Sequence, residues 1–94
     1  MKRLLWTAPA EADLASIDDY WWPRDRDVAD RLIERIRTAA ERLRSIPEGG
    51  APLDQGRTRK WRAGRTPYVL IYRLRGATVE ILRIHHDRQN WRPE

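Results

Sequence analysis

The sequence contains no cysteine, and this absence excludes several kinds of chemistry. A chain without thiols forms no disulfides, binds no metal through thiolates and has no cysteine nucleophile. It also has no long apolar run, because the polar stretch at residues 11–13 follows the basic and apolar residues 1–6 too soon for a signal peptide or a membrane span. We therefore expect a cytoplasmic protein with no membrane partner.

The chain also lacks internal repeats, low-complexity segments and interdomain linkers. With 94 residues, it is predicted to form a single domain over residues 1–94. A domain of this size buries a modest fraction of its surface, so a partner protein that covers apolar surface would stabilise it.

Charge is distributed unevenly along the chain, whose formal net charge is +5. Residues 1–56 carry 9 Lys/Arg and 11 Asp/Glu, a net of −2, whereas residues 57–94 carry 10 Lys/Arg and 3 Asp/Glu, a net of +7. The C-terminal part is therefore predicted to contact something acidic, either nucleic acid or an acidic partner segment. A solvated arginine-rich face remains the alternative.

Two helices are predicted in the first half of the chain. Thr7 can cap the first helix and Pro23 ends it, while Asp25 or Asp27 can cap the second. The apolar residues at helical spacing are Ala10, Leu14, Ile17 and Trp21 in the first helix, and Val28, Leu32, Ile36, Ala39, Leu43 and Ile46 in the second. The other positions of the second helix carry both signs of charge at spacings that permit ion pairs, which predicts a solvated face. The short connection predicts an antiparallel helix hairpin.

Strand patterns occupy the start and the second half of the chain. Residues 4–6 are long enough for one strand, and residues 58–63, 68–72 and 79–85 predict three more, with a tight turn at Arg75 and Gly76. The continuous apolar run at residues 68–72 is typical of a central strand that is buried on both faces. The order of elements predicts an α+β fold, in which a three-stranded antiparallel meander belongs to one sheet and the helix hairpin packs on one face.

Three segments resemble the ParE/RelE superfamily, the toxins of bacterial type II toxin–antitoxin systems, and are closer to its ParE-like members. The segments are residues 6–14 with Ile17 and Tyr20, residues 68–74, and residues 79–91. The resemblance implies a toxin that is silenced in a hetero-oligomer with an antitoxin. In this family a C-terminal segment of the antitoxin typically packs a helix on the helix hairpin and extends along the sheet. The residues expected to bind the antitoxin are Trp22, Arg59, Arg62 and Arg73.

Two modes of action occur in this family. ParE-like members bind DNA gyrase and trap its cleaved-DNA state without being enzymes. On this hypothesis there are no catalytic residues and no cofactor, and the target-binding residues are Arg83, His85, Arg88 and Trp91.

RelE-like members instead enter the ribosomal A site and cut mRNA. A metal-independent nuclease of this kind needs several cationic or acid/base side chains on one face of the sheet. Its catalytic residues would be Lys60, Arg62, His85 and Arg88, drawn from a wider set that includes Arg83 and His86. Lys60 and Arg62 would share one strand face.

Two departures from the RelE pattern favour the gyrase hypothesis over the ribosome and mRNA. RelE-like nucleases usually carry an arginine where this chain has Val69, and a tyrosine or histidine near the C-terminus, where this chain has Trp91. His85 and His86 are adjacent, so they face opposite sides of a strand and, with no cysteine in the chain, predict no metal site. A third hypothesis is a nontoxic remnant that only binds a partner.

Overall fold

The computed structural model describes residues 1–88, in which two helices pack on one sheet. In chain order the elements are β1 (Arg3–Trp6), α1 (Ala8–Trp21), α2 (Arg26–Arg42), β2 (Ala51–Leu53), β3 (Thr58–Arg62), β4 (Tyr68–Arg75) and β5 (Thr78–His86). This architecture confirms the predicted α+β fold with its antiparallel β3–β4–β5 meander. None of the helices in the described residues is long and apolar enough to cross a bilayer.

Side-chain caps define where both helices begin. The Thr7 hydroxyl accepts a hydrogen bond from the Ala10 N–H at 3.4 Å and donates to the Ile81 carbonyl at 2.7 Å, so it caps α1 and joins it to β5. Asp25, rather than Asp27, caps α2 by accepting from the Val28 N–H at 3.1 Å. Both starts therefore follow from side chains that satisfy N–H groups at the first helical turn.

The second helix ends earlier than its apolar spacing predicts. We expected it to include Ile46, but α2 ends at Arg42 and Ile46 is exposed. The following residues form a tighter turn, in which the Arg44 N–H bonds to the Glu41 carbonyl at 3.1 Å. Pro47 disfavours helical backbone at Ile46, the residue before it, so the helix does not continue through Ile46.

The sheet has the strand order β1-β5-β4-β3-β2 within residues 1–88. β1 runs parallel to β5, while all other neighbours are antiparallel. β2 was not predicted, because we interpreted residues 47–52 only as the segment that stops the second helix. It is an edge strand of three residues that contains Pro52, and an edge is where a strand tolerates a residue without an N–H.

The core lies between the helices and the central strand β4. The largest fully buried side chains are Ile36, Leu43, Leu70, Tyr72, Val79 and Ile81. Trp21 and Trp61 are half-buried and pack against this core. Val69 is buried as well, although its neighbours Tyr68 and Leu70 belong to the helix-facing core, so the start of β4 is buried on both faces as predicted.

Tyr72 fixes the segment that leads from α2 into β2. Its hydroxyl donates to the Pro47 carbonyl at 2.7 Å and accepts from the Gly50 N–H at 2.9 Å. A Cβ at position 50 would lie 2.6 Å from the Tyr72 Oη, so only glycine fits there. Burial raises the pKa of the Tyr72 phenol above its usual 10.0, despite the opposing hydrogen bond from Gly50.

Candidate functional site

The sheet face opposite the helices carries several of the predicted site residues. Val69 lies at its centre, and the register pairs it with Arg62 on β3 and with His85 on β5. Lys60 pairs with Ile71, so Lys60 and Arg62 lie on the same face, as strand geometry predicts. We call this surface the open face; it combines an apolar centre with cationic and imidazole groups at its sides.

The Arg62 guanidinium is anchored by two contacts. Its Nη1 donates to the Thr66 carbonyl at 3.0 Å and to the Asp87 Oδ2 at 3.3 Å. These bonds join the end of β3 to the turn before β4 and to the residues after β5. The Arg62 side chain is 55% exposed, so its ion pair with Asp87 is screened by solvent and contributes little to stability.

The two histidines point in different directions. His85 pairs in register with Val69 on the open face, whereas His86 pairs with Tyr68, whose ring belongs to the helix-facing core. The His86 and Tyr68 rings meet edge to face, with centroids 5.5 Å apart. The His86 Nδ1 also accepts a hydrogen bond from the Arg88 N–H at 3.2 Å. His86 therefore lies apart from the cationic groups of the open face.

Arg83 binds the first helix. The register places it beside Ile71, but its Nε and Nη2 donate to the two carboxylate oxygens of Asp13 at 2.8 and 3.1 Å. The hydrogen bond and the charge of Asp13 raise the pKa of the Arg83 guanidinium. Asp13 also accepts from the Ile84 N–H at 2.9 Å, so Arg83 is part of a structural contact at the edge of β5.

Two of the arginines expected to bind a partner also make contacts within the chain. Arg73 pairs with Glu80 through an Nε–Oε1 distance of 2.6 Å, and the Glu80 side chain is mostly buried while that of Arg73 is 42% exposed. Arg59 donates to the Gly50 carbonyl at 2.8 Å. Arg59 therefore holds the segment before β2, whereas Arg73 keeps a large part of its surface open to a partner.

Of the remaining predicted residues, Trp22 and Arg88 are exposed, and Trp91 lies outside the described residues. Trp22 lines a groove of about 730 Å³ between α1 and α2, where Leu14 and Ile33 supply further apolar surface. The Arg26 guanidinium lies 4.4 Å from the centroid of the Trp22 ring. The groove therefore exposes apolar side chains between the two helices.

The rim of this groove is acidic, which we did not predict. Its charged residues are Glu11, Asp18, Asp30, Glu34, Arg37 and Glu41, five acids and one arginine. The helical spacing of positions 30, 34 and 41 could have indicated this, because residues at such spacings share one side of a helix.

The structure also contains an arginine-lined cavity that sequence reasoning missed. It lies between α2 and the end of β3 with the following turn, and has a volume of about 390 Å³. Its lining residues are Arg31, Glu34, Arg35, Thr38, Ala39, Arg42, Trp61, Arg62, Gly64 and Arg65. The charges of α2 are therefore separated by sign, with Arg31, Arg35 and Arg42 towards β3. Within residues 1–88, the charged residues of α2 form no ion pairs with one another.

Residues 1–88 contain no group of three or more His, Cys, Asp or Glu side chains that could hold a metal ion. The described surfaces comprise an apolar and cationic open face, an acid-rimmed groove and an arginine-lined cavity.

Comparison with known proteins agrees with this picture. Residues 4–91 match the model of a family described as the ParE toxin of the type II toxin–antitoxin system parDE. The protein Y4kP of Sinorhizobium fredii is 37% identical over 90 residues, which are 96% of this chain and 93% of that protein. Toxin RelE2 of Caulobacter vibrioides is 35% identical over 86 residues, which are 92% of this chain and 96% of that toxin. A chain of the chromosomal ParDE TA system from P. aeruginosa superposes with a TM-score of 0.79 and 27% identity, covering 92% of this chain and 96% of that one.

Proposed function

Because the chain belongs to the ParE toxin family of type II toxin–antitoxin systems, we propose that it arrests growth in the cytoplasm by poisoning DNA gyrase, and that an antitoxin neutralises it. On this proposal the toxin binds gyrase and stabilises its cleaved-DNA state. It performs no chemistry of its own and needs no cofactor.

The observation that carries this proposal is Val69 at the centre of the open face. It is buried between its register partners Arg62 and His85 and supplies only methyl groups. RelE-like nucleases usually carry an arginine at this position, where a cationic group stabilises the charge that develops on the phosphate, and Val69 supplies none. Arg83, which is next to Ile71 in the register, is instead bound to Asp13.

We assign target binding to the end of β5 and the residues that follow. His85 faces the open surface, and the side chain of Arg88 is exposed beyond the last strand. Trp91, the further residue predicted to bind the target, lies outside the described residues. A cationic and aromatic segment suits the desolvated centre of a protein interface, where arginine and tryptophan are enriched.

The test uses purified protein, freed of antitoxin, with DNA gyrase, supercoiled plasmid and ATP. We expect linear plasmid to accumulate as the toxin concentration rises, and to disappear when antitoxin is added first. Arg88→Ala should require a higher toxin concentration, whereas Arg57→Ala, which removes an exposed charge between β2 and β3, should behave as the unaltered protein. Normal supercoiling at a large molar excess of toxin would contradict gyrase as the target.

The second candidate function is ribosome-dependent mRNA cleavage. The observation that favours it is the placement of Lys60, Arg62 and His85 on one face, together with the similarity to a protein named as a RelE toxin. Its test is primer extension on an mRNA undergoing translation. Cleavage at A-site codons that is lost in Arg62→Ala would show that the protein is an mRNA endonuclease and not a gyrase poison.

A further inference from the structure

The charge pattern of α2 separates two surfaces that flank the helix. Arg31, Arg35 and Arg42 occur at spacings of four and seven residues, which place them on one side of a helix. Asp30, Glu34 and Glu41 repeat at the same spacings, one residue earlier, and line the groove towards α1. The side of α2 towards α1 is therefore mainly negative and the side towards β3 mainly positive, although Glu34 lines both depressions and Arg37 lines the groove.

The positive side borders a partly open cavity of about 390 Å³. Arg65 from the turn after β3 lines it together with the arginines of α2, and Arg62 also borders it, although the Arg62 guanidinium is bound to Thr66 and Asp87. Trp61 provides apolar surface, and its Nε1 donates to the Ala39 carbonyl of α2 at 3.2 Å, which fixes the indole ring. Glu34 is the only acidic residue that lines it among the described residues.

Four of the five arginines that line the cavity lack an ion-pair partner within the described residues, and the fifth, Arg62, pairs with Asp87. Arg31, Arg35, Arg42 and Arg65 form no ion pair in residues 1–88. Like charges held four residues apart on a helix repel one another, so Arg31 and Arg35 destabilise the free protein slightly. An anionic ligand in the cavity would remove this repulsion and would gain bonds to several guanidinium groups.

We propose that this cavity binds an acidic segment of the antitoxin, with an apolar side chain seated on Trp61 and carboxylates paired to the surrounding arginines. Guanidinium groups bind carboxylates through two parallel hydrogen bonds, so the arginines that line the cavity suit acidic side chains. Trp61 offers apolar surface that an apolar side chain of a peptide covers, whereas a sugar–phosphate backbone leaves it uncovered. The acid-rimmed groove on the other side of α2 repels the same segment, so charge directs it to the cavity.

This inference rests on the toxin–antitoxin part of the proposed function and not on gyrase as the target. The test compares two double variants with equal changes in charge. Arg35→Gln/Arg42→Gln alters the cavity, while Arg57→Gln/Arg75→Gln alters two exposed arginines outside it. Circular dichroism and thermal unfolding establish that both variants are folded before binding is measured.

Isothermal titration with the purified antitoxin gives the dissociation constant at low and at high salt. We expect the cavity variant to bind about tenfold or more weakly at low salt, with a smaller difference at high salt where charge pairs are screened. The control variant should bind within about twofold of the unaltered protein, as expected for a change outside the interface. Equal effects of the two variants, or no effect of either, would overturn the proposal.

A second measurement separates an acidic peptide from nucleic acid. A fluorescently labelled DNA duplex of about two helical turns is titrated with the same three proteins. If the cavity variant loses DNA binding but keeps antitoxin binding, the cavity is a phosphate site and the proposal is wrong. The gyrase assay of the antitoxin-free proteins is independent of both results, so failure of the target assignment leaves the result for the cavity unchanged.

Discussion

Asp13 and Arg83 join the first helix to the last strand through two hydrogen bonds, at a separation of 70 residues in the chain. The same carboxylate accepts from the Ile84 N–H. This contact lies beyond the point where β1 stops pairing with β5, at Trp6 and Ile81. Asp13 therefore satisfies a backbone group on a strand edge that would otherwise be open to another strand.

We predict that Asp13→Ala destabilises the protein more than Arg83→Ala. Removing Asp13 leaves the partly buried Ile84 N–H without an acceptor and should lower the free energy of unfolding by about 1–3 kcal/mol. Arg83→Ala removes only the ion pair of a side chain that is 51% exposed and should cost less than about 1 kcal/mol. Urea unfolding measures both, and equal losses would mean that the ion pair is the stabilising element.

Tyr72→Phe should lower the free energy of unfolding by about 1–3 kcal/mol, because the Gly50 N–H and the Pro47 carbonyl each lose their partner in a buried site. Tyr20→Phe is the matched control, since Tyr20 is exposed. We expect its effect to stay below about 0.5 kcal/mol in the same chemical denaturation measurement. Similar losses in both variants would contradict a structural role for the Tyr72 hydroxyl.

Tyr72 should also produce an alkaline dependence of stability. Burial raises the pKa of its phenol above 10.0, so the folded state holds the proton more tightly than the unfolded state. The contribution of the protonated Tyr72 phenol to the free energy of unfolding is present in full below pH 10.0. It is lost as the pH rises through the raised pKa of the folded state. The difference in unfolding free energy between the unaltered protein and Tyr72→Phe should therefore shrink above that pH. A constant difference across this range would contradict the prediction.

Arg73→Ala should lower the free energy of unfolding more than Glu80→Gln does. The Glu80 carboxylate is mostly buried, and without Arg73 it stays charged with no partner, at a cost of about 1–2 kcal/mol after allowance for the solvent exposure of Arg73. Glu80→Gln removes the charge and retains an acceptor. Thermal unfolding of the single variants and of the double variant measures this, and the double variant should recover part of the loss caused by Arg73→Ala.

Arg62→Ala should retain the ability to arrest growth when expressed without antitoxin. On the gyrase proposal Arg62 has no catalytic part, and its exposed contacts with Thr66 and Asp87 contribute little to folding. The measurement is the number of viable cells after induction, with Arg57→Ala as the matched loss of one exposed charge. Full loss of toxicity in Arg62→Ala alone would favour the nuclease.

The helix starts and the central strand could be predicted because local chemistry determines them. Thr7 and Asp25 accept hydrogen bonds from N–H groups three residues further along the chain, and residues 68–72 are too apolar for an exposed strand. β2 could not be predicted, since its three residues form a strand only by pairing with β3 at the sheet edge. The alternation of strand faces also fails to predict the pairing of β5. Ile71 pairs with Arg83 and Tyr72 pairs with Ile81, so the register shifts by one residue at this point.

The candidate surfaces were predicted less well than the fold. The positions of Arg31 and Arg35 reveal one cationic side of a helix, but the cavity exists because α2 packs beside Trp61 and the turn that follows it. Similarly, the sequence does not reveal that Arg83 pairs with Asp13, and target binding by Arg83 stays a prediction. Tertiary neighbours decide which charges remain available, and a single sequence does not contain that information.

The parallel pairing of β1 with β5 also sets the time at which the fold can be completed during translation. Arg3 pairs with Thr78, so the first strand leaves the ribosome long before its neighbour exists. Contacts this distant in the chain form slowly, because a large loop must close before they are made. A nascent toxin with this topology gains its full sheet only when most of the chain has been synthesised, which gives an antitoxin that is already present the opportunity to bind it as folding finishes.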